Sequence, residues 1–288
     1  MNHLPTKILL AADGSEDAAQ AREAAVDLAG KSSSELHVVH VWHDVPSPYA
    51  HAFIKRELRR QGQEILDEQV RKIEEAGVKV TEAHLTEGRI SNEVISLGEE
   101  LGVGLLVVGS RGHGRIGRIL MGSHSEDIVH HAHLPVLVLR CVEDAWPPVR
   151  VVIGDDFSEE AKEAGELAAS IARLFEADTL LVRAYPHILE ESSDPEAEES
   201  VWQSEKELEG RASRLEGILG HKPRVEMAAG NPAEAILEAA RVVGPTLVAV
   251  GSRGLGTVER MRLGSVSTKV VRAAPGSALV CCPRIERG

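Results

Sequence analysis

The sequence predicts an α/β fold of two tandem doubly wound domains, each a parallel sheet with helices on both faces. Three observations predict it. Short apolar runs alternate with longer amphipathic segments along the whole chain, which is the pattern of strand–helix–strand units. One glycine-rich stretch is written twice, as "GSRGHGRIGRILMGSHS" (109–125) and "GSRGLGTVERMRLGSVS" (251–267), each reading G-S-R-G, nine residues, then G-S-x-S. The copies lie 142 residues apart in a chain of 288, a spacing close to the commonest domain size. The expected domains are 1–143 and 149–288. Between them lies "EDAWPP", whose prolines favour extended backbone.

In the first half, "KILLAAD" (7–13) reads as a strand buried on both faces and ending at an aspartate. A helix follows from Ser15, and Gly30 stands where it is expected to stop. Strand two is "ELHVVHVW" (35–42), followed by a proline-bearing loop at 44–50 and a long charged helix at 53–76. "VKVTEAHL" (78–85) is strand three, 90–102 a helix, and "GLLVVGS" (104–110) is strand four, running into the glycine loop. "SHSEDIVHHA" opens a helix, and "PVLVLR" (135–140) is strand five.

The second half repeats this order. Strands are expected at 149–156, 178–185, 224–230, 246–252 and 278–282, with helices after Ser158, near 196–219 and at 232–244. The acidic "EESSDPEAEES" (190–200) reads as a mobile surface loop.

Composition narrows the function classes. Aromatic residues make up only 3%, so Val, Ile, Leu and Ala must build the cores. A net charge of −13 argues against nucleic acid or an anionic membrane as the general partner. The three cysteines, Cys141, Cys281 and Cys282, make neither a disulfide framework nor a zinc pattern, and they fit a reducing cytoplasm. No signal-peptide core and no membrane-length apolar run is present, so a cytoplasmic location is expected.

In an open parallel sheet, ligands bind beyond the carboxyl ends of the strands. Asp13 and the loop from Gly109 lie at such ends, as do Asp156 and the loop from Gly251. Glycine lets backbone N–H groups approach a ligand closely, and a following helix start adds unpaired N–H donors suited to phosphate. The hydroxyls of Ser123, Ser125, Ser265 and Ser267 can donate to phosphate oxygens. "SHSE" is also a capping box from Ser123 to Glu126, which needs no ligand. The doubling of the motif favours phosphate. A P-loop is excluded by the lack of G-K-[ST], and a dinucleotide fingerprint is poorly supported because the second copy lacks G-x-G-x-x-G.

Both halves resemble universal stress protein (UspA-type) domains, and the whole chain resembles the tandem two-domain members. The nucleotide-binding branch of that family carries G-x-x-G, nine residues, then G-[ST]. The pattern is met by Gly109, Gly112, Gly122 and Ser123, and again by Gly251, Gly254, Gly264 and Ser265. The resemblance implies Rossmann-like, HUP-type domains with five strands in the order 3-2-1-4-5. It implies ATP, with Mg²⁺ or another divalent cation held through the triphosphate. It places Asp13 and Asp156 at the adenosine, Val41 and Ala184 in the adenine pocket, and the glycine loop around the phosphates. It also implies that strand five pairs two domains, inside the chain or in a homodimer.

Five departures and ambiguities accompany it. His124 stands where the family usually has Val, as Val266 does here, and Asp127 stands opposite Lys269, adding an acid near the first site's phosphates. Gly14 is replaced by Phe157. The two sites are therefore expected to be competent but unequal. Arg111 and Arg253 can contact phosphate or form an ion pair. His130 and His133 could share a helix face for a metal, but the second copy does not repeat them; solvated histidines are the expectation.

The expected function is an ATP-binding protein of the stress response, working through nucleotide-dependent conformation or partner binding. No general base or phosphate lysine is evident beside the loop, so any hydrolysis is expected to be slow. A nucleotide α-phosphate enzyme on a related fold is a weaker reading, since H-x-G-H and S-G-G-x-D are absent. A scaffold with vestigial sites is the third.

Overall fold

A strand buried on both faces must be apolar along its length, and Ile8, Leu9 and Leu10 are fully buried in the central strand of the first sheet. The computed structural model describes residues 4–43, 52–110, 121–140, 146–187, 195–241, 244–252 and 263–282. The chain divides into two compact units, Pro5–Cys141 and Val142–Gly288.

The first unit holds strands β1 (Lys7–Ala11), β2 (Glu35–Trp42), β3 (Val80–Glu87), β4 (Leu105–Gly109) and β5 (Val136–Leu139). Its helices are α1 (Glu16–Ser32), α2 (Ala52–Glu75), α3 (Ile90–Leu101) and α4 (Ser123–His131). All strand pairs are parallel, in the order β3-β2-β1-β4-β5. The second unit repeats this with β6 (Arg150–Gly154), β7 (Asp178–Tyr185), β8 (Arg224–Ala229), β9 (Thr246–Gly251) and β10 (Ser277–Cys281), ordered β8-β7-β6-β9-β10. Its helices are α5 (Glu159–Phe175), α6 (Pro195–Leu219), α7 (Pro232–Ala239) and α8 (Ser265–Ala273).

The direction of the chain reverses between β1 and β4, and between β6 and β9. At these points connections leave to opposite faces and open a crevice at the carboxyl edge. Serine caps start the helices that follow the first strands: Ser15 accepts from the Ala18 amide at 3.2 Å, and Ser158 from the Ala161 amide at 3.1 Å. Helix α2 shows the expected spacing, with Leu66, Gln69 and Ile73 buried along one stripe.

Three expectations are corrected. Helix α1 runs through Gly30 and ends at Ser32, where Ser33 takes the left-handed conformation (φ 59°) and returns its amide to the Ala29 carbonyl. Gly30 instead faces Val78, at a distance that leaves little room for a side chain. Residues 195–200 of the acidic segment are helical: Pro195 opens α6, with Glu196 and Glu198 in the first turn where the helix dipole favours them. The rest of that segment in the expected loop, 190–194, lies outside the described residues. Helix α7 stops at Ala239 rather than 244, closed by a tight turn from the Arg241 amide to the Glu238 carbonyl at 3.0 Å.

Cys281 and Cys282 are buried at the end of β10. Among the described residues, no helix is long and apolar enough to cross a membrane.

Candidate functional site

In the first domain a cleft of about 530 Å³, open to solvent, lies at the carboxyl edge of the sheet. Asp13, Val41, Gly109, His124 and Ser125 all line it. Val39, Val94, Val108 and Ile128 supply an apolar wall. Asp13 owes its orientation to the turn after β1. Its Oδ1 accepts the Ser15 amide at 3.0 Å, while Gly14 takes φ +82°, a conformation that disfavours any side chain. His40 closes the strand end. Its Nδ1 lies 2.8 Å from the Ala12 carbonyl, which can only accept, so that nitrogen carries the proton.

The glycine loop is pinned at its base. The Ser110 amide donates to Leu139 O at 2.6 Å and the Gly122 amide to Ser110 O at 2.8 Å. Gly122 is the N-cap of α4 and brings no capping side chain. The first i→i−4 bond of the helix runs from the Glu126 amide to Gly122 O at 3.0 Å, so the amides of Ser123, His124 and Ser125 precede the helical ladder. The capping-box alternative is thereby overturned, because Ser123 is the first helical residue and not the cap.

The two serines of each pair have different surroundings. Ser123 is exposed, whereas Ser125 is buried and donates to Gly109 O at 2.7 Å. Ser265 and Ser267 repeat this, with Ser267 donating to Gly251 O at 2.6 Å. A hydroxyl has one proton. The second serine of each pair therefore fastens helix to strand rather than offering that proton to a phosphate.

The second domain keeps the backbone. The Gly264 amide donates to Ser252 O at 2.7 Å, and Gly264 is again a cap without a side chain. Gly251 has a packing reason to lack a side chain: a Cβ there would stand 2.8 Å from the Ala161 amide nitrogen, at the start of α5. Strand register makes Asp155, Asp156, Phe157, Arg183 and Ala184 the equivalents of Ala12, Asp13, Gly14, His40 and Val41. Asp156 accepts from the Ser158 amide at 3.1 Å and from its hydroxyl at 2.5 Å.

The neighbours of Asp156 are unlike those of Asp13. Asp155 is buried; its Oδ1 accepts the Phe157 amide at 2.7 Å, and Arg211 stands 3.8 Å from its Oδ2. Burial pushes its carboxyl above the usual range, against the pull of the Phe157 amide and Arg211. The Arg183 guanidinium lies 3.8 Å from the centre of the Phe157 ring and donates to Asp155 O at 3.3 Å. Arg211 donates to Phe157 O at 2.8 Å.

A model of the universal stress protein family matches residues 5–140 and again 149–281. The chain belongs to the universal stress protein family. It is similar to a universal stress protein of Methanocaldococcus jannaschii, 31% identical over 143 residues that cover 48% of this chain and 84% of that one. A universal stress protein of Bacillus subtilis is 33% identical over 147 residues, covering 46% of this chain and 98% of its own. The crystal structure of a universal stress protein from Archaeoglobus fulgidus matches with a TM-score of 0.71 at 26% identity, covering 96% of this chain and 98% of that chain.

Within this universal stress protein, Gly122 and Ser123 stand beside the cleft at the start of α4, and Gly264, Ser265 and Val266 start α8. Arg111, Gly112, Arg253 and Gly254 lie outside the described residues. Asp127 does not add an uncompensated acid near the phosphates, because Arg89 pairs with it at 2.9 Å. Lys269 at the equivalent place pairs with Glu234 at 2.8 Å, so this position is paired in both domains although its charge is reversed. His133 falls beyond the end of α4, so it does not share a helix face with His130, which is 3.7 Å from Glu126.

Sequence reasoning missed His40 and His43. The His43 ring stands 5.9 Å from that of His124, and the long separation of these two in the sequence gives no sign of their meeting.

Proposed function

We propose that this universal stress protein binds ATP, with its first domain the tighter site, and acts in the stress response through nucleotide-dependent conformation or partner binding. One observation carries the reading: a single cleft gathers the oriented Asp13 carboxylate, an apolar wall including Val41, and a helix start whose cap has no side chain. An adenine ring suits the apolar wall, the ribose hydroxyls suit the carboxylate, and phosphates suit the leading amides of α4. Mg²⁺ or another divalent cation would enter with the triphosphate.

The preference for the first domain rests on Ala12, Gly14 and His40 leaving room where Asp155, Phe157 and Arg183 already satisfy one another. Asp156 and Ala184 belong to a weaker second site. Turnover is expected to be slow or absent. A cytoplasmic location, and pairing through the fifth strands within the chain or in a homodimer, belong to the same proposal; the mass in solution from light scattering separates the last two.

The test is a calorimetric titration of ATP with Mg²⁺ into nucleotide-stripped protein. The expected result is one tight site per chain and a second that fills only at higher concentration. No heat at several temperatures, with no rise in melting point, would overturn the reading and leave the scaffold.

A further inference from the structure

Strands β2 and β3 carry a second group of ligating side chains, beside the apolar end of the nucleotide cleft and outside its lining. His37 precedes Val39 of the cleft wall by two residues on β2, about 7 Å along an extended chain. The register of β2 against β3 shifts between Leu36 and His37, which brings His37 opposite Glu82 and Val39 opposite His84. Glu82 and His84, two residues apart on one strand, share a face. The result is a His–His–Glu group whose ligand atoms all lie within 4.8 Å of one another.

The spacing has a chemical meaning. Two nitrogens bound at about 2.0–2.1 Å on a tetrahedral zinc ion stand about 3.3–3.4 Å apart. Nδ1 of His37 is 3.3 Å from Nε2 of His84. Glu82 approaches the same His84 nitrogen at 3.9 Å and is exposed, so a small rotation completes the third ligand. A second observation is independent of this spacing. His37 is only 4% exposed, yet its Nε2 is buried with no hydrogen-bond partner. Ligation through Nδ1 puts the proton on Nε2, and the Glu35 carboxylate stands 3.8 Å away on that side. Carboxylates in that position orient metal-bound imidazoles.

We propose that His37, His84 and Glu82 form a site for a divalent transition ion of the zinc class, with Glu35 orienting His37 and water in the fourth position. The site differs in kind from the triphosphate-bound cation of the proposed nucleotide site, since imidazole ligands select against Mg²⁺. The exposed Glu82 provides the entry side. The competing account is a bare hydrogen bond between two neutral imidazoles.

Cobalt(II) titrated into the full chain without nucleotide distinguishes the two. The expected result is a visible absorption band of four-coordinate cobalt that saturates at one equivalent and is bleached by zinc. Glu82→Gln and His84→Gln should each abolish or sharply weaken it, Glu35→Gln should weaken zinc binding about 10–100-fold, and His131→Gln should leave it unchanged. Circular dichroism checks each fold. If His84→Gln fails to fold, the exposed Glu82→Gln decides. No band at one equivalent, or a band that survives both Glu82→Gln and a folded His84→Gln, overturns the site.

Discussion

The two domains share a backbone and differ in what fills the switch point of the sheet. In the first, His40 reaches the Ala12 carbonyl and Gly14 leaves the turn bare. In the second, Arg183 reaches the equivalent Asp155 carbonyl, its guanidinium covers Phe157, and Arg211 spans the same turn. Phe157 keeps the left-handed turn at φ +70°, where its counterpart is a glycine. The amides that a nucleotide could use are laid out alike in both. What differs is whether the adjoining side chains leave space and unsatisfied chemistry or have already satisfied each other. A volume exchange shows the same principle: a Cβ on Gly154 would meet Ile236 Cδ1, whereas the first domain has Ala11 and the smaller Val94 at these places.

Exchanging the side chains at the switch point should have the largest effect. Ala12→Asp, Gly14→Phe and His40→Arg together should weaken ATP binding by the first domain about 100-fold, about 2.8 kcal/mol, by calorimetry. Undiminished binding would mean that these positions do not set the difference.

The serine pairs offer a second test. Ser267→Ala strands the Gly251 carbonyl, which accepts that buried hydroxyl, and should cost about 1–3 kcal/mol in urea unfolding. Ser123→Ala, at an exposed helix start, should leave stability within about 0.5 kcal/mol while weakening ATP binding. Equal stability losses would dissolve the distinction between fastening and ligand-facing serines.

Gly14→Ala should cost about 1 kcal/mol from backbone conformation alone, since a Cβ there meets only Ile65 at an ordinary 3.5 Å. A neutral result would show that the turn tolerates side chains in both domains.

The smallest expected effect is a pH slope. Because burial raises the Asp155 pKa, folding favours its protonated form. That contribution is full below the unfolded carboxylate value and is lost as pH rises through the folded one. Asp155→Asn should therefore gain stability relative to the parent as pH rises from about 4 toward neutrality, read from urea curves at several pH values. A flat difference would mean that Arg211 and Arg183 offset the burial of the charge.

Much of the fold was legible because strands buried on both faces need continuous apolar runs, and those runs are local in sequence. Strand two at 35–42 and its counterpart at 178–185 coincide with β2 and β7. The misreadings occurred where a residue has two uses. Gly30 resembles a helix stop but serves close packing against Val78, and Ser123 resembles a cap but follows one. Much of the candidate site was legible too, since the end of strand one marks Asp13 and the motif names Gly109, Gly122 and the serines, but His40, His43 and Arg183 carried no motif.

The doubled α/β architecture, the strand-end aspartates and the glycine–serine loops follow from local residue order, because alternation, turn chemistry and repeat spacing are written in neighbouring residues. Which serine of each pair is already bonded, the pairing of Asp127 with Arg89 and the meeting of His37 with His84 emerge on folding. These depend on register between strands and on contacts between distant segments. A one-residue slip on β2 would carry His37 to the opposite face, and no local pattern records that it does not.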